Sequence, residues 1–451
     1  MVCVLHHFWG MDWRYGCVVL GLLAGCGPAV DVDPAGEGGS ETESSDPADS
    51  EVPDDPEPLT PCDPIVFGDS VVETELLLAV FPQPEPVDGG YPSGSFDEVT
   101  RLSIRHAESL DGLECLAGLE ELDVSHGVVD LEGFPELPNL KTLNLSEGSV
   151  YGPWARIPER APNLESLILS GRYSRWLEAD PIDLSEFTGF SELSVITIDT
   201  VPLAATHLDA VADMPGLQSL TLWGGSLTDL SGLVGHPALL SLSLDGHALG
   251  VTALDNMPVL ETVKLETAGI EELSLTDLPL LRELDVSQNS ISDLGEIAAL
   301  PALESLIVDE NPVSLEPLAS HPTLTSLSAR ETGLSDDDLM PLAGTQIRWL
   351  DLRGTAVINP VAIASMTSLD FLDLSSTDVE DGSFLEWSSL LDNCHGLLLK
   401  DTPLAEFLSE GSKDPFIENA CDAGTFVEWE EGWFYSYEGA CNGSCVPSPG
   451  E

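Results

Sequence analysis

Basic residues are scarce in this chain. Fifteen Lys and Arg stand against 79 Asp and Glu in 451 residues, a formal net charge of −64. Binding to nucleic acid by phosphate neutralisation needs Lys and Arg in number, so it is excluded as a function class. The same field opposes adsorption to anionic membrane surfaces; it favours solubility and can also attract cations or basic partners. Catalytic signatures are missing too: there is no G-x-S-x-G, no H-E-x-x-H and no G-x-x-x-x-G-K-[ST]. The histidines are scattered, and Cys441–Cys445 is a C-x3-C with no His beside it, a poor metal pair. No enzyme, cofactor or metal site is expected. Asp336-Asp337-Asp338 lacks the spaced oxygens of a calcium loop and reads as a solvated loop. Hydrophobic residues nonetheless make up 43%, enough to build a folded core.

Only one apolar run stands out near the start, YGCVVLGLLAGC at 15–26, preceded by Arg14. Spanning a bilayer takes about 20 apolar residues, and Asp31 and Asp33 end this run early. Its Leu23-Ala24-Gly25-Cys26 resembles the lipobox of bacterial lipoprotein signal peptides. The resemblance implies cleavage before Cys26, lipidation of its thiol, and, with Gly27 in place of Asp, transit to the outer membrane or cell surface of a bacterial envelope. Met11 offers an alternative start to Met1. Residues 27–61 are rich in Asp, Glu, Pro, Ser and Gly and bury too little to order themselves, so they read as a self-repelling tether.

The bulk of the chain repeats L-x-x-L-x-L. Fourteen units have middle apolar residues Leu102, Leu122, Leu143, Leu167, Ile196, Leu220, Leu242, Val263, Leu284, Leu306, Leu327, Leu350, Leu372 and Leu397. A period near 22 residues sustained this long means a solenoid. The pattern resembles leucine-rich repeats, in particular the short class of internalin-like bacterial surface proteins, over about residues 99–402. It implies an α/β solenoid: a parallel β-sheet on the concave face, 3₁₀ or short helical turns on the convex face, and a cap at each end. The physics agrees, because the last two apolar residues of the motif share one face of a strand. Pro138, Pro162, Pro215, Pro237, Pro258, Pro279, Pro301 and Pro322 each precede the first Leu of a unit by two residues, where proline stops a helical turn. His236 and His321 sit just before two of these prolines and read as structural. The longest gap contains GRYSRWLEADP (171–181), an insertion loop carrying Arg172, Arg175 and Trp176.

In the leucine-rich-repeat family an Asn after the strand bonds neighbouring backbone. Here only Asn289 and Asn311 hold that slot; Thr332, Thr355, Thr377 and Thr402 can fill part of the role, while Ala107, Gly127 and Gly148 cannot. A more regular C-terminal half and a looser N-terminal half are expected. Residues 62–98 read as an N-terminal cap with a strand through VVETELLL (71–78). Residues 403–451 read as a C-terminal cap whose aromatic run at 425–439 forms a β-hairpin around Glu430-Glu431-Gly432. Those aromatics serve as end-capping core or as a ligand platform. Six cysteines near the two ends, Cys62, Cys115, Cys394, Cys421, Cys441 and Cys445, allow up to three disulfides in an exported protein. Cys62 can bridge to Cys115, and Cys394, in the place of a repeat Leu, should face inward.

Outward positions flanking the strand leucines form three columns. Three columns in fourteen units are 42 of 451 positions, so even spreading would put one or two basic residues there. Six of the fifteen occupy them: Arg101, Arg105, Lys264, Arg330, Arg353 and Lys400. The concave face is therefore mixed in sign on an otherwise acidic chain, an arrangement suited to recognition. Trp349 and Phe371 share one column in adjacent units, Asp351 and Asp373 the next, and Arg330 and Arg353 the third. With strands about 4.8 Å apart, these six should form one surface, and aromatic and Arg side chains are the usual interface anchors. The bland alternative is that the Arg and Asp satisfy each other across strands. Trp223 is a weaker candidate, and Glu283, Asp285 and Ser287 face outward in the most regular unit. The expectation is a monomeric, lipid-anchored binding module for a protein ligand. The alternative is an adhesive or structural envelope protein with weak broad binding of ligands or calcium.

Overall fold

The computed structural model describes residues 62–171, 181–201, 203, 208–386, 396–409, 412–423, 425–429 and 440–441. The tether, the lipobox, residues 172–180 of the insertion, Cys394, Cys445 and Glu430-Glu431-Gly432 lie outside the described residues.

Each repeat opens with two leucines separated by one residue, and that pair drives the architecture. Along a strand alternate side chains face opposite ways, so the strand Thr142–Ser146 buries Leu143 and Leu145 while its other residues stay partly exposed. Fifteen such strands pair in parallel in one sheet, and a sixteenth, Ala440–Cys441, closes it antiparallel. The register follows the repeat without a slip. Leu102 faces Leu122, Leu122 faces Leu143, and the match runs unit by unit to Leu372 and Leu397. A one-residue slip would turn every Leu to solvent, which is why the pattern pins the register. The chain is thus a leucine-rich-repeat solenoid, with one hydrophobic core running its length.

A second regularity follows each strand. The fourth residue beyond the middle apolar position is left-handed in thirteen of the fourteen units, from φ 63° at His106 and 56° at His126 to 57° at Ser376 and 56° at Asp401. There the chain leaves the sheet and enters the slot. The backbone ladder continues through this residue: Gln288 N–H donates to Asp309 O (2.8 Å) and Ser376 N–H to Lys400 O (2.7 Å).

On the opposite face short 3₁₀ turns return the chain, as expected, among them Leu113–Cys115, Ser231–Leu233, Glu316–Ser320 and Val361–Ser365. Two places depart from this. Val128–Asp130 pairs with Ser149–Tyr151, and Val251–Asp255 with Glu272–Thr276, as small parallel sheets of their own. His236 and His321 are buried. Each accepts, at Nδ1, the N–H of the first Leu of the next unit, Leu239 and Leu324, both at 3.1 Å. They cap the turn made by the proline that follows them.

The caps correct one expectation. The run 71–78 is a helix, not a strand: Ser70–Ala79, with Asp69 accepting from Val71 N–H (2.7 Å). That N-cap bond and the i,i+4 pair Val72 and Leu76, both fully buried, outweigh the apolar continuity that suggested a strand. Leu78 is left 71% exposed. Cys62 and Cys115 form a disulfide that ties this cap to the first repeat. At the other end helices Pro403–Ser409 and Pro415–Ala423 precede the strand Phe426–Glu428. This strand adds in parallel beside Gly396–Leu398, and the hairpin partner Ala440–Cys441 pairs with it. The aromatic cap therefore begins as a fifteenth copy of the repeat strand. Cys421 is disulfide-bonded as well. Among the described residues no helix is long and apolar enough to cross a membrane.

Candidate functional site

The slot residues tie neighbouring units to one another. Asn289 Nδ2 donates to Leu265 O of the preceding unit (2.7 Å) and to Val286 O, while its Oδ1 accepts from Ala268 and Ile270 N–H. Asn311 repeats the scheme, reaching Val286 O at 2.8 Å. Each Thr in the slot bonds only its own turn, as Thr355 does to Leu352 O (2.6 Å). His247 had no assigned role in the sequence. Its Nε2 meets Leu222 O at 3.2 Å, the same cross-unit carbonyl position that the Asn side chains reach. Burial lowers its pKa, because a charged ring would be desolvated.

The six expected site residues are brought together. Trp349 pairs with Phe371 across adjacent strands, and their rings stack with centroids 5.6 Å apart and planes 5° from parallel. Arg330 Nε lies 2.6 Å from Asp351 Oδ2 and 3.8 Å from Asp309 Oδ2. Arg353 Nη2 lies 2.6 Å from Asp373 Oδ2. Lys400 continues the series to Glu428 at 3.2 Å. Each cation reaches one strand ahead, so the pairs climb the sheet like a staircase.

Two expectations about exposure are corrected. Asp351 and Asp373 are not solvent-facing; each is 1% exposed. Flanking bulk covers them, and each carboxylate also accepts a backbone N–H, from Arg353 to Asp351 (3.1 Å) and from Ser375 to Asp373 (2.8 Å). Burial and the adjacent Asp373 charge push the Asp351 carboxyl above the usual range, against the pull of Arg330. Burial also raises Asp309, against Ser328 and Arg330. Trp349 and Phe371 are half-buried, because one face of each ring lies against the other. What solvent meets is guanidinium and ring: the Arg330 and Arg353 side chains remain 34% and 41% exposed.

Sequence columns missed two neighbours. Arg348, 66% exposed, pairs with Asp370 just outside the columns, on the other flank of the aromatic pair. Phe426 enters the Trp349–Phe371 column through Gly396, because the fifteenth strand is in register. Its signal was the V-x-W spacing of TFVEW, hidden in a stretch read as hairpin alone. Arg101 meets Glu121 at 2.9 Å in the open, where such a pair contributes little. Asp285 bonds Ser287 of its own unit, which leaves less of it for a partner. Trp223 stands between Asp199 and Asp245 in the register. Asp336 accepts from Ile358 and Asn359 N–H, and Asp338 completes a capping box with Ser335, so that acidic run serves the backbone. Among the described residues no group of three or more His, Cys, Asp or Glu is arranged to hold a metal ion.

No family model matches the chain, and no curated protein does. Solved structures with a similar fold exist. An internalin of Listeria monocytogenes is 21% identical, covering 69% of this chain and 98% of its own, with a TM-score of 0.49. A leucine-rich-repeat protein of Leptospira interrogans is 17% identical, over 63% and 86%, with a TM-score of 0.42. The functional domain of a second Listeria monocytogenes internalin, which includes a cysteine ladder, is 15% identical over 74% and 81%, with a TM-score of 0.45. At these values the likenesses carry no functional argument. The solenoid rests on its own unbroken register.

Proposed function

We propose that this protein is a lipid-anchored binding module of a bacterial envelope, displayed at the outer membrane or cell surface. It takes a protein ligand on the strand-lined face around Arg330, Trp349, Arg353 and Phe371. The observation that carries the reading is the preorganised pair of arginines beside a half-buried aromatic pair. Buried Asp351 and Asp373 hold the guanidinium groups in place, so a partner meets them with little ordering cost. Aromatic and Arg side chains at the centre of a surface are the usual anchors of protein interfaces. The apolar run ending in Leu23-Ala24-Gly25-Cys26 and the acidic tether behind it support the anchor.

Two experiments test it. In a pull-down from envelope extracts, a Trp349→Ala/Arg353→Ala variant should lose the partner that the wild type captures; retention of every partner would place binding elsewhere. Labelling with a palmitate analogue should mark the wild type and not Cys26→Ala; equal labelling would remove the anchor.

A further inference from the structure

Five histidines lie among the described residues, and they divide sharply. His236, His247 and His321 are buried and commit ring nitrogens to backbone groups. His106 and His126 are exposed, and among the described residues neither ring is hydrogen-bonded. They hold equivalent left-handed positions in the first two repeats, and their rings stack 5.2 Å apart with planes 21° from parallel. Backbone bonds fix both roots: His106 N–H to Ser125 O and His126 N–H to Ser146 O, each 2.9 Å.

We propose that His106 and His126 form a two-histidine site for a borderline divalent transition metal such as copper(II), zinc or nickel. Imidazole suits these ions, whereas calcium and magnesium require oxygen ligands. At metal–nitrogen bonds of about 2.0–2.1 Å two rings on one ion need no closer centroids than the present 5.2 Å, but they must leave the near-parallel stack so that one nitrogen of each points at the ion. Exposed side chains on fixed roots make that change by turning about their own bonds, and water fills the remaining positions. The overall charge of −64 draws cations to the surface. The opposing charge nearest in sequence is Arg105, which in turn attracts the half-buried Asp123 in the adjacent strand. The left-handed backbone is common to the repeats and adds no constraint peculiar to this pair.

Copper(II) titration of the full chain, followed by electron paramagnetic resonance, tests the site. The wild type should bind one equivalent showing two-nitrogen hyperfine coupling. A His106→Ala/His126→Ala variant should lose that equivalent, and either single variant should weaken it at least tenfold. Both residues are exposed, so circular dichroism should be unchanged in all three variants. If stoichiometry and nitrogen coupling are the same in the double variant, or if the wild type shows oxygen ligands alone, the site does not exist.

Discussion

The two halves of the sheet solve one problem in different ways. In the long sheet the parallel strands from Arg101–Arg105 to Ser241–Asp245 are five residues long; those from Thr262–Lys264 to Phe426–Glu428 are three. The N-terminal half was expected to be the looser one for want of slot Asn, yet its strands are the longer. The reason lies in backbone approach. Val128 N–H donates to Ala107 O (2.7 Å) and Ser149 N–H to Gly127 O (2.9 Å), so the units join main chain to main chain inside the slot. Only small residues permit this: a Cβ on Gly127 would stand 2.8 Å from Ala107 O, and one on Gly148 2.6 Å from Gly127 O. In the C-terminal half a side chain fills the slot, with Asn bridging two units and Thr closing one, beside backbone bonds such as Ala356 N–H to Leu334 O (2.9 Å). The slot is thus closed by backbone alone at Gly127 and Gly148, and by an amide, an imidazole or a hydroxyl where a longer side chain fills it.

Breaking the full version should cost most. Asn289→Ala removes the acceptor of Ala268 and Ile270 N–H and the donor to three carbonyls. At about 1–3 kcal/mol for each buried group left unsatisfied, urea unfolding should show a loss of about 3–5 kcal/mol; a loss under about 1 kcal/mol would deny the Asn its structural role. Filling the empty version comes next. Gly148→Ala should cost about 1–3 kcal/mol by overpacking, and the mirror experiment, Thr355→Gly, should not be rescued by backbone closure. If Gly148→Ala is neutral in thermal unfolding, the close approach is not what holds the N-terminal units. Thr355→Val deletes one hydrogen bond of 2.6 Å and should cost only about 1 kcal/mol, well below the Asn value in the same assay.

The smallest effect depends on pH. Burial lowers the folded-state pKa of His247 and of His321, so the unfolded chain takes up their protons first. By linkage, stability falls as pH drops through the unfolded value of about 6.5, on the order of 1 kcal/mol for each unit of depression. Asp351 acts with the opposite sign at lower pH. Its folded pKa is raised, so the folded state takes up that proton first, and its contribution grows as pH falls through the raised value toward the ordinary carboxylate range of the unfolded chain. Melting temperatures between about pH 7.5 and 5 should decline in the wild type and less steeply in His247→Asn, which keeps a donor for Leu222 O. An equal slope in both would mean that the buried imidazole does not couple to folding.

Much of this was legible in the chain. Fourteen leucine-centred strands could be placed to the residue because each apolar pair has one side to face, and a single slip would expose it. The aromatic and Arg columns near the C-terminus followed from the same register, since residues 22 apart become neighbours in a parallel ladder. The helix Ser70–Ala79 was not legible, because an unbroken apolar run hides its period and the deciding signal was one cap, Asp69. Nor was the burial of Asp351 and Asp373, which depends on what their neighbours cover.

The sequence by itself determined the repeat, its register and the side each Leu takes, because burying a periodic apolar face has one cooperative solution. Only the tertiary structure decided how the units are joined and what the surface offers. Whether a slot closes by amide, imidazole or bare backbone depends on the gap between two strands. Whether an Asp meets a partner or holds an Arg for one depends on the bulk beside it. Whether His106 and His126, at equivalent places in adjacent repeats, meet ring to ring depends on how their exposed side chains turn. Those are distances between chain segments, and a linear pattern does not contain them.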